Sequence, residues 1–210
     1  MNRLADLILR YPRWVLAFIA LGSLSALLYL VVFGLRYDYN LENFLPADDP
    51  AIQAYKAFTA QYEPDDNVIA VGFEAPDVFA YDVLRDVRAM TDSLERLPDV
   101  EEAISLTNAE ALVVGADGLA LEPLIGDIVA DAATRSMQRT DVLADSLAVG
   151  YVVNRSADAT AIFVKINPAA NDFEGRRAVI EAVQRVMAPY ADRYDVRYSG
   201  IPYIRNTYVE

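Results

Sequence analysis

The side chains best suited to chemistry in this chain are two acidic pairs, Asp48-Asp49 and Asp65-Asp66, and the triplet Asn154-Arg155-Ser156. Adjacent carboxylates can ligate a hard cation such as calcium, which collects about six to eight closely spaced oxygens. Neither pair sits in an EF-hand-like loop, and helix-cap and turn roles account for both. Asn-Arg-Ser fits the N-glycosylation acceptor pattern, but it falls in a predicted turn, where Asn and Ser are common for their backbone hydrogen bonds. The sequence has no Cys and no His. That excludes disulfides, thiol catalysis, zinc sites with His or Cys ligands and Ser-His-Asp triads. No glycine-rich nucleotide loop, no carboxylate pair at helical spacing and no basic patch is present. The sequence therefore predicts no catalytic, cofactor-binding or metal-binding residue, no cofactor and no enzyme activity. Phe73 and Phe163 are apolar residues that could meet a hydrophobic ligand, with core packing the simpler role.

The strongest physical signal is Trp14–Leu35, WVLAFIALGSLSALLYLVVFGL, with no charged residue. As a helix it is about 33 Å long, enough to cross a hydrocarbon core of roughly 30 Å with some tilt. A signal peptide competes, since Ser23 and Ser25 could flank a cleavage site. Cutting there would strand the apolar run Ala26–Leu35 at the new N-terminus, so an uncleaved anchor fits better. Arg3, Arg10 and Arg13 precede the segment, whereas Arg36 alone follows it closely, with Asp38, Glu42, Asp48 and Asp49 soon after. The positive-inside rule then puts residues 1–13 in the cytoplasm and sends the rest across. Tyr11 and Trp14 on one side, and Tyr37 and Tyr39 on the other, suit interfacial aromatic belts. Gly22 and Ala26, with Ser25 beside them, form a small-residue face on which another membrane helix could pack closely.

Beyond the helix, 15 basic residues stand against 30 acidic ones. This excess argues against nucleic acid or an anionic lipid surface as a partner. An exported domain without disulfides sits most naturally in a bacterial envelope. Residues 36–66 read as a connector plus a short helix capped by Asp48 or Asp49, starting at Pro50 and striped by Ile52, Tyr55, Phe58 and Tyr62. Residues 67–200 read as an α+β domain. Strand Asn67–Glu74, helix Val78–Leu97 and strand Val100–Leu106 form a β-α-β unit. Ala111–Gly115 and Leu119–Glu122 form a hairpin around Ala116-Asp117-Gly118. A helical pattern with a break in its middle runs from Asp127 to about Leu147. A second hairpin joins Gly150–Asn154 to Thr160–Ile166, and a helix capped by Asn171 with Glu174 precedes the last strand, Asp195–Ser199.

The connector sequence Leu41-Glu42-Asn43-Phe44-Leu45-Pro46-Ala47-Asp48-Asp49-Pro50, with Tyr55 and Phe58 after it, resembles the start of resistance-nodulation-division (RND) exporters. The branch it is most similar to contains the mycobacterial-membrane-protein-large (MMPL), hopanoid-transporter and Patched-like proteins. Further matching segments follow in order: Pro98-Asp99-Val100 into Ile104-Ser105-Leu106-Thr107-Asn108, Asp117-Gly118-Leu119 to Glu122-Pro123-Leu124-Ile125, Ala161–Ile166, and Ser199-Gly200-Ile201-Pro202.

The resemblance implies a proton-driven transporter of the bacterial inner membrane, exporting lipids or other hydrophobic substrates, with residues 67–200 as a periplasmic porter-like domain. Its partners would be the bilayer, a hydrophobic or lipid substrate, and the other membrane helices of a parent transporter. Members of the family carry about a dozen such helices, and their proton-relay acids lie on later ones, so none can be assigned here. Residues 201–210 (IPYIRNTYVE) then read as the lead-in to a second membrane helix, and the chain as an N-terminal fragment. The alternative is a single-pass envelope protein whose exported domain is a ligand- or partner-binding sensor or accessory module.

Overall fold

In the computed structural model, residues 10–33, 49–62, 65–115 and 118–207 are described. The connector segment Leu41–Asp48, Arg3 and the acids Asp6, Asp38 and Glu42 lie outside them, as do Arg36, Tyr37, Tyr39 and residues 208–210. The chain divides into two compact units, residues 1–45 and 46–210. In the first, one helix (α1) runs Pro12–Phe33. It starts two residues before the predicted Trp14, because Pro is well placed at a helix's first position and the Tyr11 carbonyl accepts from Trp14 and Val15 N–H. Gly34 and Leu35 lie outside the described residues.

The second unit mixes helix and strand. Helix α2 (Pro50–Gln61) is capped as expected: the Asp49 carboxylate accepts from Ala51 N–H at 2.8 Å, with Pro50 at the first turn. The predicted stripe is only partly internal, since Ile52 is buried while Tyr55, Phe58 and Tyr62 are exposed. Strand β1 (Val68–Glu74) follows a 3-10 turn at Asp65–Asn67, and helix α3 (Tyr81–Glu95) leads to strand β2 (Val100–Ile104). Between them Asp99 adopts a left-handed φ of 65°, a conformation that Asp tolerates better than most residues. Strand β2 stops at Ile104, not Leu106, because Ser105 turns the chain. A ribbon of β3 (Glu110–Gly115) and β4 (Gly118–Pro123) comes next, then helix α4 (Ala132–Ala144). Strand β5 (Ala159–Ile166), helix α5 (Phe173–Met187), strand β6 (Arg197–Ser199) and helix α6 (Ile201–Thr207) complete the order.

The main sheet has the order β2-β5-β1-β6, with antiparallel neighbours throughout. Strands β1 and β2 therefore run the same way with β5 between them, and β5 and β6 run the opposite way with β1 between them. The strands expected to pair as simple β-α-β units are therefore not neighbours: β5 separates β1 from β2, and β1 separates β5 from β6. Strands β1 and β5 alternate strictly between buried and part-exposed residues, as a sheet covered on one face requires. Helices α3 and α5 cover that face. Val83, Val87, Met90 and Leu94 of α3, with Val179, Ile180, Val183 and Met187 of α5, close over Val71, Phe73, Ile162, Val164 and Ile166. Each such large side chain contributes about 1.5–3 kcal/mol of burial.

Tyr194 fills the end of this core, its ring tilted against Phe73 at 4.7 Å between centroids, and its hydroxyl donates to Asp86 at 2.7 Å. Burial, and then the hydrogen bond to Asp86, push its ionisation above the ordinary tyrosine value. Gly200 ends β6 with φ 107°, where a Cβ would meet the Val68 carbonyl at 2.3 Å. That close approach lets α6 turn back onto β1, with Pro202 buried and Arg205 paired to Asp66 at 2.8 Å.

Further sequence expectations need correction: the helix expected over Val78–Leu97 runs Tyr81–Glu95, and the last strand begins at Arg197, not Asp195. Gly150–Asn154 is not a strand but a series of turns touching the sheet through isolated bridges, Val153 to Thr160 among them. Its Val152 and Val153 bury their side chains without a ladder. The helix after Asp127 begins only at Ala132 and runs unbroken, because Asp131 caps it through Thr134 N–H at 2.8 Å; that hydrogen bond also lowers the Asp131 carboxyl below its usual range. Helix α5 is capped by Asp172, not Asn171. The Asp172 carboxylate accepts from Gly175 N–H at 2.7 Å, while Asn171 ends the 3-10 turn Pro168–Ala170.

Candidate functional site

Two features bear on function, each within its own unit. The first is α1. Of residues 10–32 all but Val15 are exposed, and the helix is apolar around its whole circumference. It is the one described helix long and apolar enough to cross a membrane. Gly22, Ser25 and Ala26 share one face by helical spacing, since positions three and four apart are neighbours. Space beyond Gly22 is open, with no atom within 4 Å of where a Cβ would stand. A Gly-Ser-Ala strip on an exposed apolar helix permits close helix approach.

One member of each acidic pair has a structural role among the described residues. Asp48 lies outside the described residues, Asp49 caps α2, and Asp66 holds Arg205. Among the described residues no group of three or more acids forms a metal cluster. Asn154 is committed to its own turn: its Oδ1 accepts from Asp158 and Ala159 N–H at 3.0 and 3.1 Å, and its Nδ2 donates to the Asp158 carboxylate. A glycan on that nitrogen would displace the last contact. Phe73 is core, and Phe163, half-buried on the other face of the sheet, stacks flat on Tyr151 at 4.3 Å with planes 5° apart.

The second feature is a cleft of about 470 Å³ on the side of the sheet away from α3 and α5. A register shift between Val100 and Glu102 sets its back wall. After that bulge Ala103 turns into the core, so Glu102 and Ile104 face outward. The base of the β3–β4 ribbon supplies Glu110 and Leu124, pinned by Leu124 N–H donating to Ala109 O at 2.8 Å. The turns after α4 supply Asp145, Leu147, Ala148, Tyr151 and Val152. Asp145 holds those turns by accepting from Leu147 and Ala148 N–H at 2.7 and 3.2 Å.

Beneath the cleft lies a buried polar cluster. Thr91 donates to Ser105 at 2.8 Å, Ser105 meets Thr107 at 3.0 Å, and Asn108 accepts from Ser105 N–H and donates to Ala103 O, both at 2.7 Å. Arg88 donates to the Thr107 carbonyl. These groups are satisfied by one another, which is how buried polar atoms avoid the cost of lost hydration. Their role is to fix the wall, and the cleft they support is a concave surface of mixed apolar and polar character with three carboxylates, Glu102, Glu110 and Asp145. Among its lining residues none is arranged as a nucleophile beside a base.

Sequence reasoning missed the cleft. One signal was available: between Arg96 and Arg135 there is no basic residue, while Asp99, Glu101, Glu102, Glu110, Asp117, Glu122, Asp127 and Asp131 are all acidic. Concavity itself has no sequence signature. Compared with known proteins, the chain matches no family model and no curated sequence significantly.

Proposed function

We propose that the chain is the N-terminal part of a proton-driven RND/MMPL-type membrane transporter that exports lipidic or other hydrophobic substrates. The observation that carries this reading is a 22-residue apolar helix, exposed over residues 12–32 except at Val15, on one chain with an α+β domain whose sheet has the order β2-β5-β1-β6. In this reading α1 is the first membrane helix, its Gly22, Ser25 and Ala26 face meets other helices of the transporter, and residues 67–200 form the porter-like domain. The Arg-rich start stays in the cytoplasm and the acidic domain stands in the periplasm, as the positive-inside rule requires. Proton relay belongs to later helices.

The absence of Cys makes the topology easy to test. Ser146, exposed in the turn after α4, replaced as Ser146→Cys should react with a membrane-impermeant maleimide added to spheroplasts. Asn2→Cys should react only after lysis, and the reverse pattern would refute the orientation. Transport is tested by the reading frame beyond codon 210 and by flux. A frame encoding several apolar segments, whose product extrudes a fluorescent lipid analogue and stops with a protonophore, is the expected result. Liposomes holding only residues 1–210 should carry no proton-coupled flux. The cleft favours a second reading, a single-pass envelope protein with a ligand-binding domain; a stop after codon 210 with a stable short product would select it.

A further inference from the structure

We propose that the cleft over the outer face of β2 is a binding site for an organic cation with an apolar body. This goes beyond transport and stands on the cleft alone, whether or not the chain belongs to a transporter. Its volume, about 470 Å³, lies in the range of small-molecule sites, which are concave, mostly apolar and carry a few placed polar groups. Ile104, Leu124 and Val152 supply the apolar part of the lining, and the charged part is of one sign only.

Glu102 and Glu110 stand on different elements, the edge strand β2 and the start of the ribbon, so the fold brings them to one opening. Both are exposed, and neither has an ion-pair partner among the described residues. Lys165, opposite Glu102 in the register, reaches Glu101 at 3.0 Å. No Lys or Arg contributes to the lining, so the charged groups that an anion entering the cleft would meet there are all carboxylates.

An independent feature points to the same ligand. Tyr151, half-exposed and lining the cleft, is held flat by Phe163 behind it at 4.3 Å. A ring fixed in this way loses little freedom on binding and offers a π surface that attracts a cation. An apolar wall, two unpaired carboxylates and a preset aromatic ring together describe a site for a quaternary or protonated amine on a hydrocarbon body. A neutral lipid would use only the wall, and an anionic one would be repelled.

The test uses the whole chain in nanodiscs of zwitterionic lipid and two water-soluble probes of similar size, benzyltriethylammonium and benzylsulfonate, with empty nanodiscs as background. Binding is read by saturation-transfer NMR and by titration calorimetry. Saturable binding of the ammonium probe is expected, with the sulfonate at least about tenfold weaker, the scale of one charge-assisted contact. Glu102→Gln with Glu110→Gln should weaken the ammonium probe about tenfold and erase the preference over sulfonate. Tyr151→Leu, which keeps the apolar volume, should weaken it about two- to fivefold, as loss of an exposed cation–π contact would. Circular dichroism establishes that each variant is folded. Equal binding of the two probes overturns the proposal. So does an unchanged ammonium affinity in the folded double variant, or no saturable ammonium binding at millimolar concentration. None of these outcomes depends on transport, so the proposal and the transporter reading can fail separately.

Discussion

The four-stranded sheet with its two helices and the segment inserted between β2 and β5 both have buried cores, yet they are held by different means. In the sheet, backbone groups pair strand to strand, and the interior is filled by regularly spaced Val, Ile, Leu and Met. In the insertion, residues 105–158, the core gathers Leu106, Ile125, Val142, Ala148, Val152, Val153 and Ala157 from turns as much as from helix. Outside the β3–β4 ribbon and α4, its backbone is closed by short turn hydrogen bonds, with Asn108, Asp145 and Asn154 each bonding further neighbouring amides or carbonyls. Where no ladder exists, Asp and Asn side chains close backbone groups that the turns leave over. Ladders and helices close the backbone of one region, turns and side-chain hydrogen bonds much of the other, and the candidate binding cleft lies at their seam.

That contrast predicts where substitutions hurt most. Leu94, fully buried between α3 and the sheet, should cost about 2–5 kcal/mol as Leu94→Ala, the range for a large core truncation. Val142→Ala in the insertion should cost less, about 1–2 kcal/mol, since it removes fewer buried atoms. Urea unfolding of the whole chain in detergent, followed by far-ultraviolet circular dichroism, measures both. Equal losses would break the contrast.

For the insertion the sensitive position is Asn108. Asn108→Ala leaves Ser105 N–H and Ala103 O without their 2.7 Å partner, at about 1–3 kcal/mol for buried groups left unpaired. Asn108→Asp keeps the acceptor but not the donor, and should fall between wild type and Ala. Should Asn108→Ala prove harmless, water already serves those groups and the insertion is looser than described.

A third prediction sharpens the sheet side. Tyr194→Phe removes the 2.7 Å bond to Asp86 while leaving the ring on Phe73, at about 1 kcal/mol near neutral pH. Because folding raises the tyrosine's ionisation, its stabilising effect is complete below the unfolded value of about 10 and is lost as pH climbs past it. Wild type should therefore lose more stability than Tyr194→Phe between about pH 9 and pH 11. Parallel pH profiles for the two proteins would contradict this.

The same contrast explains what could be read from sequence. Period-two burial in β1 and β5 and the apolar spacing of α3 and α5 are direct prints of a covered sheet, and α1 is a print of bare hydrophobicity. The order of strands is not printed anywhere: that β5 enters between β1 and β2 depends on pairing across more than fifty residues. In the insertion, Val152 and Val153 look like strand residues because they are β-branched and buried, but burial there comes from turns. Asn171 looks like a helix cap because Glu174 follows it at capping-box spacing, yet Asp172 takes the cap by accepting from Gly175. The cleft was hidden for a further reason. Glu102 faces it only because of the bulge after Val100, and Glu110 reaches it only because the ribbon folds where it does.

The smallest effect belongs to the ribbon itself. Leu112 and Leu121 stand opposite each other across β3 and β4, and both are exposed, as is Leu119. An isolated two-stranded ribbon is marginal in water, and what fixes this one is its base, where Leu124 and Ala109 are joined. Leu121→Ser should then change global stability by no more than about 0.5 kcal/mol, as for a surface position. Amide exchange within β3 and β4 should speed up while that of β1 and β5 stays unchanged. A larger global loss, or slowed exchange across the main sheet, would mean that the ribbon is coupled to the sheet's stability, and the division between the two regions would have to be redrawn at β2.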